Sequence, residues 1–142
     1  MAERVDYLAQ SWTQNGEAAV LKGCRCSACG ANFFPARVQC TECLAENSME
    51  EMNLPEEGNL YTYTILQRTE KGFPAPMAVG YVDFAEQNVR VFGQLAVTEE
   101  EMDRLHTDMP VKVIAGVIKS LGDTETWGYR FKPVFGKEEE SK

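Results

Sequence analysis

Two Cys-x2-Cys pairs, separated by ten residues, constrain the fold of this chain more than any other feature of its sequence. Cys26 and Cys29 form the first pair, and Cys40 and Cys43 form the second. Each pair can direct two thiolates from one tight turn onto a single ion, and Gly30 follows the first pair where such a turn needs a positive φ. Four sulfurs suit tetrahedral Zn²⁺, so the sequence predicts a structural zinc site.

Three other interpretations of the cysteines stay open at this point: two disulfides, a redox-active pair, or buried thiols. The N-terminal residues lack the basic and apolar regions of a secretion signal, which disfavours disulfides. A redox motif needs a single pair in a βαβ setting. Four thiolates also suit iron, which is the alternative metal. We interpret Cys24 as a residue of the strand that enters the ribbon, without a role as a ligand.

The sequence predicts no independent active site. A zinc ion with four protein ligands has no open position for water or substrate, so it contributes folding energy rather than catalysis. His106 is the only histidine, and its polar surroundings predict an exposed side chain rather than a general base. The chain also lacks a glycine-rich phosphate loop of either familiar spacing.

The N-terminal residues show a helical spacing of apolar side chains. Val5, Leu8 and Trp12 lie three and four positions apart, which predicts a short helix within an N-terminal segment at 1–22. Its apolar stripe would pack either on the rest of this chain or on a partner. The zinc ribbon is expected to follow at 23–50, with a linker or a short pairing segment after it.

Five segments rich in β-branched and aromatic residues follow the ribbon, and turn-forming residues separate them. Thr98 and Glu101 match a capping box, which predicts one short helix between the third and fourth strands. Five strands with that insertion are typical of an OB-fold, a partly open barrel, which we place at 51–136 before an acidic flexible tail at 137–142. The predicted strands are 59–68, 76–84, 88–97, 110–120 and 126–134.

The charge of the chain disfavours nucleic acid and membranes as partners. It carries 14 basic and 22 acidic residues, a net charge of -8, and this field repels phosphate backbones and anionic lipids. No segment approaches the roughly 18 consecutive apolar residues of a membrane span. We therefore expect a soluble, cytoplasmic protein.

With these elements in this order, the chain resembles the family of small proteins that fuse a rubredoxin-like zinc ribbon to an OB-fold and accompany thiolases and related acyl-CoA condensing enzymes. The resemblance runs nearly end to end, from "LKGCRCSACG" through "FFPARVQCTEC" and "GNLYTYTIL" to "GYRFKPV". It is strongest to the small subunits of thiolases that act on dicarboxylic or aromatic acyl-CoA intermediates, such as the benzoylsuccinyl-CoA thiolases. Ala36 and Thr41 stand where the family often has proline, and Cys24 is an addition.

The resemblance implies a mainly β fold with an N-terminal helix, a rubredoxin-like zinc ribbon and a five-stranded OB-fold barrel. It also implies a non-catalytic accessory subunit. A thiolase-like large subunit would carry the nucleophilic cysteine and its histidines, while this chain completes the shared acyl-CoA site or organises the assembly.

Four residues are candidate contacts to acyl-CoA or to the partner. Arg68 and Lys71, in the loop between the first two barrel strands, could meet CoA phosphates by charge, and Phe73 could close over an acyl chain or the partner's surface. A solvated hairpin loop is the alternative. Arg37 is either a phosphate contact or a structural donor to ribbon carbonyls, and we favour the structural role.

Two rival functions remain. Zinc ribbons and OB-folds also occur in nucleic-acid-binding modules, where Tyr61 and Tyr63 would serve as stacking platforms, but the chain's charge opposes this interpretation. The other rival is a pure scaffold that contacts only protein. In the last strand Trp127 and Tyr129 share one face while Arg130 and Lys132 share the other, an alternation that usually separates core from solvent and otherwise exposes an aromatic patch to a partner.

Overall fold

The structure, a computed structural model, describes residues 3–135 and is mainly β. The predicted acidic tail at 137–142 lies outside the described residues. Within the described range, no helix is long and apolar enough to cross a membrane. The strands are β1 (Glu3–Asp6), β2 (Trp12–Asn15), β3 (Ala18–Cys26), β4 (Asn32–Phe33), β5 (Met49–Asn53), β6 (Glu57–Leu66), β7 (Met77–Phe84), β8 (Val89–Gln94), β9 (Pro110–Leu121) and β10 (Thr124–Pro133).

Strands β6 to β10 form the barrel, which confirms the five predicted strands with shifts of a few residues at their ends. The hydrogen-bonded order is β1-β10-β9-β6-β7-β8, and the pairs within β6 to β10 are antiparallel. A parallel bridge between Leu95 and Phe131 joins β10 to the segment after β8 and partly closes the barrel. β8 and β10 are not neighbours in the hydrogen-bonded order of the described strands, and β1 continues the sheet beside β10.

The barrel core follows from the alternation of apolar and polar residues along each strand. In β7 the inward positions Ala78, Val82 and Phe84 are almost fully buried, whereas Tyr81 between them is exposed. Phe131 from β10 and Leu60 from β6 complete the same cluster and have no solvent exposure. Because side chains of a strand alternate between its two faces, an apolar residue at every second position is enough to specify this interior.

Strand β3 belongs to both the ribbon and the barrel. Its first residue, Ala18, pairs with Ile114 of β9, and its C-terminal half pairs with β5 along Lys22–Cys26 and with β4 at Cys24 and Arg25. The segment after the ribbon is therefore a pairing strand, one of the two alternatives left open by the sequence. Phe34 of the ribbon also packs edge-on against Tyr129 of β10, with ring centroids 5.7 Å apart.

The predicted N-terminal helix is wrong. Residues 3–15 instead form β1, a 3-10 turn at Ala9–Ser11 and β2, and β1 runs parallel to β10. Leu8 has a left-handed backbone (φ 50), which no α-helix tolerates. Of the three residues assigned to the apolar stripe, only Trp12 is buried, while Val5 and Leu8 are 46% and 38% exposed. Pairing with the unpaired edge of β10 satisfies the backbone of this segment better than an isolated short helix would.

The predicted capping box is confirmed, although the helix is shorter than expected. Helix α1 (Glu99–Met102) begins after Thr98, whose hydroxyl accepts from the Glu101 amide at 3.2 Å while the Glu101 carboxylate accepts from the Thr98 amide at 2.9 Å. The chain then turns inward at Leu105, which is buried and whose carbonyl accepts from the Tyr63 hydroxyl at 2.9 Å. This burial ends the helix after one turn.

Candidate metal centre and apolar cleft

The four predicted cysteine ligands converge on one point. The sulfurs of Cys26, Cys29, Cys40 and Cys43 all lie within 4.8 Å of one another. The Cys26 and Cys43 sulfurs are 3.8 Å apart, and the Cys29 and Cys40 sulfurs are 3.6 Å apart. A tetrahedral zinc ion with Zn–S bonds of about 2.3 Å needs sulfurs about 3.8 Å apart, so the cluster fits zinc closely.

Two matching turns present these sulfurs. The amide of Gly30 donates to the Cys26 carbonyl at 2.7 Å, and the amide of Leu44 donates to the Cys40 carbonyl at 3.0 Å. Gly30 and Leu44 both adopt a positive φ, 82° and 63°, as predicted for Gly30. The backbone amides after Cys40 also point at its sulfur, since the Cys43 amide donates to it at 3.4 Å. Such N–H donors stabilise thiolate over thiol.

The metal centre is closed on its inner side. Cys26 and Cys40 are fully buried, whereas Cys29 and Cys43 lie at the surface. The Ser48 hydroxyl lies 3.2 Å from the Cys26 sulfur and lowers the pKa of that thiol to about 6. Because four thiolates occupy the tetrahedron, a bound zinc ion would stabilise the ribbon and would leave no position for substrate.

Cys24 lies on β3 outside the four-sulfur cluster, in agreement with its predicted place. It is buried, and its sulfur accepts from the Arg37 amide at 3.2 Å. The Arg37 side chain is exposed and its guanidinium lies 5.1 Å from the centre of the Phe33 ring. Arg37 is thus held in the ribbon through its backbone, and its role as a contact stays a prediction.

An apolar cleft of about 500 Å³ lies between β7, β8 and the hairpin of β9 and β10. Its walls also include the last residue of β6, the residue after β1 and the loop between β6 and β7. Apolar and aromatic side chains dominate this lining, which includes Tyr7, Phe73, Val79, Phe92, Ile118 and Tyr129. The cleft is within the range of small-molecule sites, which are concave and largely apolar with a few polar groups.

The loop between β6 and β7 lies against the rim of this cleft rather than extending into solvent at Phe73. The Ser120 amide donates to the Gly72 carbonyl at 2.8 Å, and the Thr69 hydroxyl donates to the Phe73 carbonyl at 3.1 Å. Phe73 is therefore half-buried and lines the cleft, whereas Arg68 and Lys71 are exposed. Their predicted contacts to acyl-CoA or to a partner remain predictions.

Sequence reasoning missed a polar chain beside the cleft. The Gln94 amide donates to the Ile118 carbonyl at 2.7 Å, and its oxygen accepts from Nε of Arg130 at 3.1 Å. Arg130 shares a strand face with Lys132, the face that such an alternation usually exposes to solvent, yet it is half-buried, and this burial lowers the pKa of its guanidinium. The sequence signal was Gly116 on β9, where an added Cβ would lie 3.2 Å from Cδ of Arg130.

An exposed aromatic surface adjoins the cleft on the outer side of β6 to β8. It consists of Tyr61, Tyr81 and Phe92, each between 43% and 52% exposed, and the rings of Tyr81 and Phe92 are 5.1 Å apart. The Arg90 guanidinium covers the Tyr61 ring at 3.5 Å and pairs with Asp83, which raises the pKa of Arg90. The charges of the Arg90 guanidinium and the Asp83 carboxylate thus neutralise each other within this surface.

Two other aromatic predictions have different outcomes. Tyr63 is half-buried against the barrel core, so Tyr61 and Tyr63 do not form a shared stacking platform. Trp127 lies under the Arg4 guanidinium at 4.3 Å from its ring centre, and Tyr129 packs on Phe131 at 5.8 Å. Both aromatic residues of the last strand are therefore half-buried rather than an open patch.

Tyr129→Phe is expected to change how stability depends on pH. Burial, followed by the nearby Tyr7, raises the pKa of Tyr129 from 10.0 to about 12. Between these values the unfolded chain loses a proton that the folded chain keeps, so the free energy of unfolding decreases as pH rises. This contribution is about 1 kcal/mol near pH 11, and Tyr129→Phe should lack it. Urea unfolding near pH 8 and pH 11 measures it; Tyr81→Phe is the control, and equal decreases in all three proteins would contradict the prediction.

Comparison with known proteins identifies both parts of the chain. Residues 18–50 match the model described as the ChsH2 rubredoxin-like zinc ribbon domain, and residues 51–115 match the ChsH2 C-terminal OB-fold domain. A DUF35 domain-containing scaffold protein from Methanocaldococcus jannaschii is 32% identical over 135 residues, which cover 92% of this chain and 94% of that protein.

Two further relatives are named as thiolase subunits, and a solved structure shares the fold. The benzoylsuccinyl-CoA thiolase subunit BbsA of Geobacter metallireducens is 33% identical over 85% of this chain and 80% of its own length. BbsA of Thauera aromatica is 31% identical over 84% of this chain and 81% of its own length. A chain of the Ltp2-ChsH2(DUF35) aldolase superposes with a TM-score of 0.58 at 20% identity, over 80% of this chain and 83% of that one.

Proposed function

The chain belongs to the family in which a ChsH2-type rubredoxin-like zinc ribbon precedes an OB-fold domain, and from this membership we propose that it is a non-catalytic accessory subunit of a cytoplasmic, thiolase-type acyl-CoA acyltransferase complex. In this role it organises a hetero-oligomer and helps to form the acyl-CoA site. The catalytic nucleophile would come from the large subunit.

The observation that carries the proposal is the likeness to two thiolase subunits over more than four fifths of this chain. The scaffold name of the relative from Methanocaldococcus jannaschii points in the same direction. The cysteine chemistry agrees, because four of the five thiols converge on one metal centre and the fifth is buried. A closed four-thiolate site supports a structural metal rather than a catalytic one.

The apolar cleft supports a share in the acyl-CoA site. Its volume and its aliphatic and aromatic lining suit an acyl chain or the pantetheine arm of CoA, and Phe73 lies at its rim. Phe73 is the one candidate contact residue that lines the cleft, whereas Arg68 and Lys71 are exposed in the same loop. In this proposal these two cations attract CoA phosphates from solution rather than bind them in a pocket.

The aromatic surface is the proposed site of assembly with the large subunit. Aromatic and arginine side chains are enriched at the centres of protein interfaces, where uncompensated charge is rare. Tyr81 and Phe92 fit that composition, and the pairing of Arg90 with Asp83 keeps the surface near neutral on a chain of net charge -8. Phe92 also lines the cleft, so one large subunit could cover the surface and close the acyl-CoA site together.

Co-purification tests the proposal. The tagged chain, recovered from an extract of its native cells at moderate salt, is expected to retain a thiolase-like protein in a fixed ratio, as identified by mass spectrometry. Phe92→Ser combined with Tyr81→Ser should weaken this association at least about tenfold, because exposed aromatic anchors dominate interface energies.

Val38→Ser is the matched control for that experiment. Val38 is 91% exposed and lies in the ribbon, which contributes no residue to the aromatic surface, so its replacement should leave the association unchanged. Recovery of nuclease-sensitive RNA or DNA in place of a thiolase-like protein would overturn the proposal in favour of a nucleic-acid module. If the double variant still retained the partner, the assembly site would have to lie on another surface.

A further inference from the structure

We propose that Arg130 and Lys119 form a binding site for an anionic oxygen group, phosphate or carboxylate, of a ligand whose apolar part lies in the cleft. The two cations line a second hollow, of about 550 Å³, that shares Phe73, Ile118 and Lys119 with the cleft. The site rests on the proposed function only where acyl-CoA is named as its natural ligand. Binding of an amphiphilic anion at this place does not depend on that function.

Arg130 is positioned but not neutralised. Its Nε donates to Gln94, whose own amide is anchored on the Ile118 carbonyl of β9. In the part of the chain that the structure describes, Arg130 makes no ion pair with a carboxylate. A guanidinium has five N–H donors, so its two terminal nitrogens keep four for a ligand. Since burial removes water from this charge without supplying a counter-ion, an incoming anion would offset the cost of desolvation.

Lys119 provides a second cation on the same side. Its ammonium lies 5.5 Å from the centre of the Phe73 ring, and within residues 3–135 it too has no carboxylate partner. By contrast, Arg4, Lys22, Arg90 and Lys132 each pair with an acidic side chain. Because both cations line one hollow, they create a local positive potential on a chain with a net charge of -8.

The geometry selects an amphiphilic anion. An apolar tail can occupy the cleft beyond Phe73, while the anionic group lies at the rim between the two cations. Arg130 can bind two oxygens at once through its planar donors, whereas Lys119 acts as a point charge. A phosphate of CoA and a carboxylate of a dicarboxylic acyl group offer the same chemistry to this pair.

Calorimetry on the full-length, zinc-loaded chain tests the site with three probes: decanoate, free CoA and decanoyl-CoA. Arg130→Met and Lys119→Met keep the alkyl stems and remove the charges, and each should weaken binding at least about tenfold. Lys132→Met is the matched control because Lys132 lies on the same strand and its ammonium is 3.8 Å from a Glu17 carboxylate oxygen. It should bind like the parent.

The probes separate the two sources of the anion. Weaker binding of decanoate in the variants assigns the site to carboxylates, and an effect confined to free CoA and decanoyl-CoA assigns it to phosphate. Arg130→Lys should recover part of the affinity and guards against a folding defect in Arg130→Met. A parent protein that binds none of the probes, or two charge-removing variants that bind like the parent, would overturn the proposal. Co-purification with a large subunit is measured independently, so its failure would refute the proposed function alone.

Discussion

Cys40→Ser is expected to abolish metal binding and to unfold the ribbon while the barrel stays folded. Cys40 is fully buried, and its sulfur contacts the Cys29 sulfur at 3.6 Å within the predicted tetrahedron. Structural zinc contributes on the order of 10 kcal/mol to small ribbons, far more than a segment with so few buried apolar residues can replace. The core cluster that contains Leu60, Val82 and Phe131 includes none of the four cysteine ligands, so we expect the barrel to keep its fold without the metal.

Elemental analysis and hydrogen exchange together measure this result. The parent should hold about one zinc per chain, with iron as the alternative metal, and Cys40→Ser should hold almost none. Amides of the ribbon should lose protection while those of β7 and β9 keep it. Cys24→Ser is the matched control, because Cys24 is equally buried but lies outside the sulfur cluster. Metal loss in Cys24→Ser with retention in Cys40→Ser would contradict the assignment of ligands.

Gly23→Ala should destabilise the chain by about 3 kcal/mol, which corresponds to a fall in Tm of about 10 °C. A Cβ at Gly23 would clash with the Phe33 carbonyl oxygen, and β3 is paired with β5 at Met52 on its other side. Neither neighbour can move without breaking the sheet that holds the ribbon. Since β3 also joins the ribbon to the barrel, the damage should spread to both.

Gly122→Ala separates this steric effect from the loss of glycine's conformational freedom. Gly122 has φ +60° in the turn between β9 and β10, and nothing lies within 4 Å of its added Cβ. Its substitution should cost about 1 kcal/mol, the usual penalty for a side chain in the left-handed region. Thermal unfolding followed by circular dichroism compares the two variants. Equal losses would show that the contact with Phe33 is not what makes Gly23 necessary.

Local chemistry explains which parts of the fold could be predicted. The capping box at Thr98 and Glu101 and the positive φ at Gly30 depend on residues a few positions apart, and both are confirmed. The N-terminal helix was predicted because Val5, Leu8 and Trp12 match a helical spacing. The prediction failed because this segment pairs with the edge of β10, more than a hundred residues away in the sequence. Tertiary pairing regularly overrides so short a local signal.

The candidate sites divide in the same way. The four cysteine ligands were predictable because each Cys-x2-Cys pair places two ligands in one turn. The spacing in the sequence therefore indicates their geometry directly. The cleft was not predictable, since residues that are distant in sequence line it, from Tyr7 after β1 to Tyr129 of β10. Arg130 lies on the strand face that alternation usually exposes to solvent, and its hydrogen bond to Gln94 joins strands that are distant in sequence.

By itself the sequence determined the metal ligands and the positions of the five barrel strands along the chain, because these depend on contacts between near neighbours and on the two-residue period of a strand. It also determined the family, through motifs that run along most of the chain. Only the tertiary structure decided that residues 3–6 form a strand, that an apolar cleft lies beside it, and that Lys119 and Arg130 line the adjoining hollow. Those features depend on which strands pair, although these strands are far apart in the sequence. The free energy of that pairing comes from packing and desolvation, which a local sequence pattern does not contain.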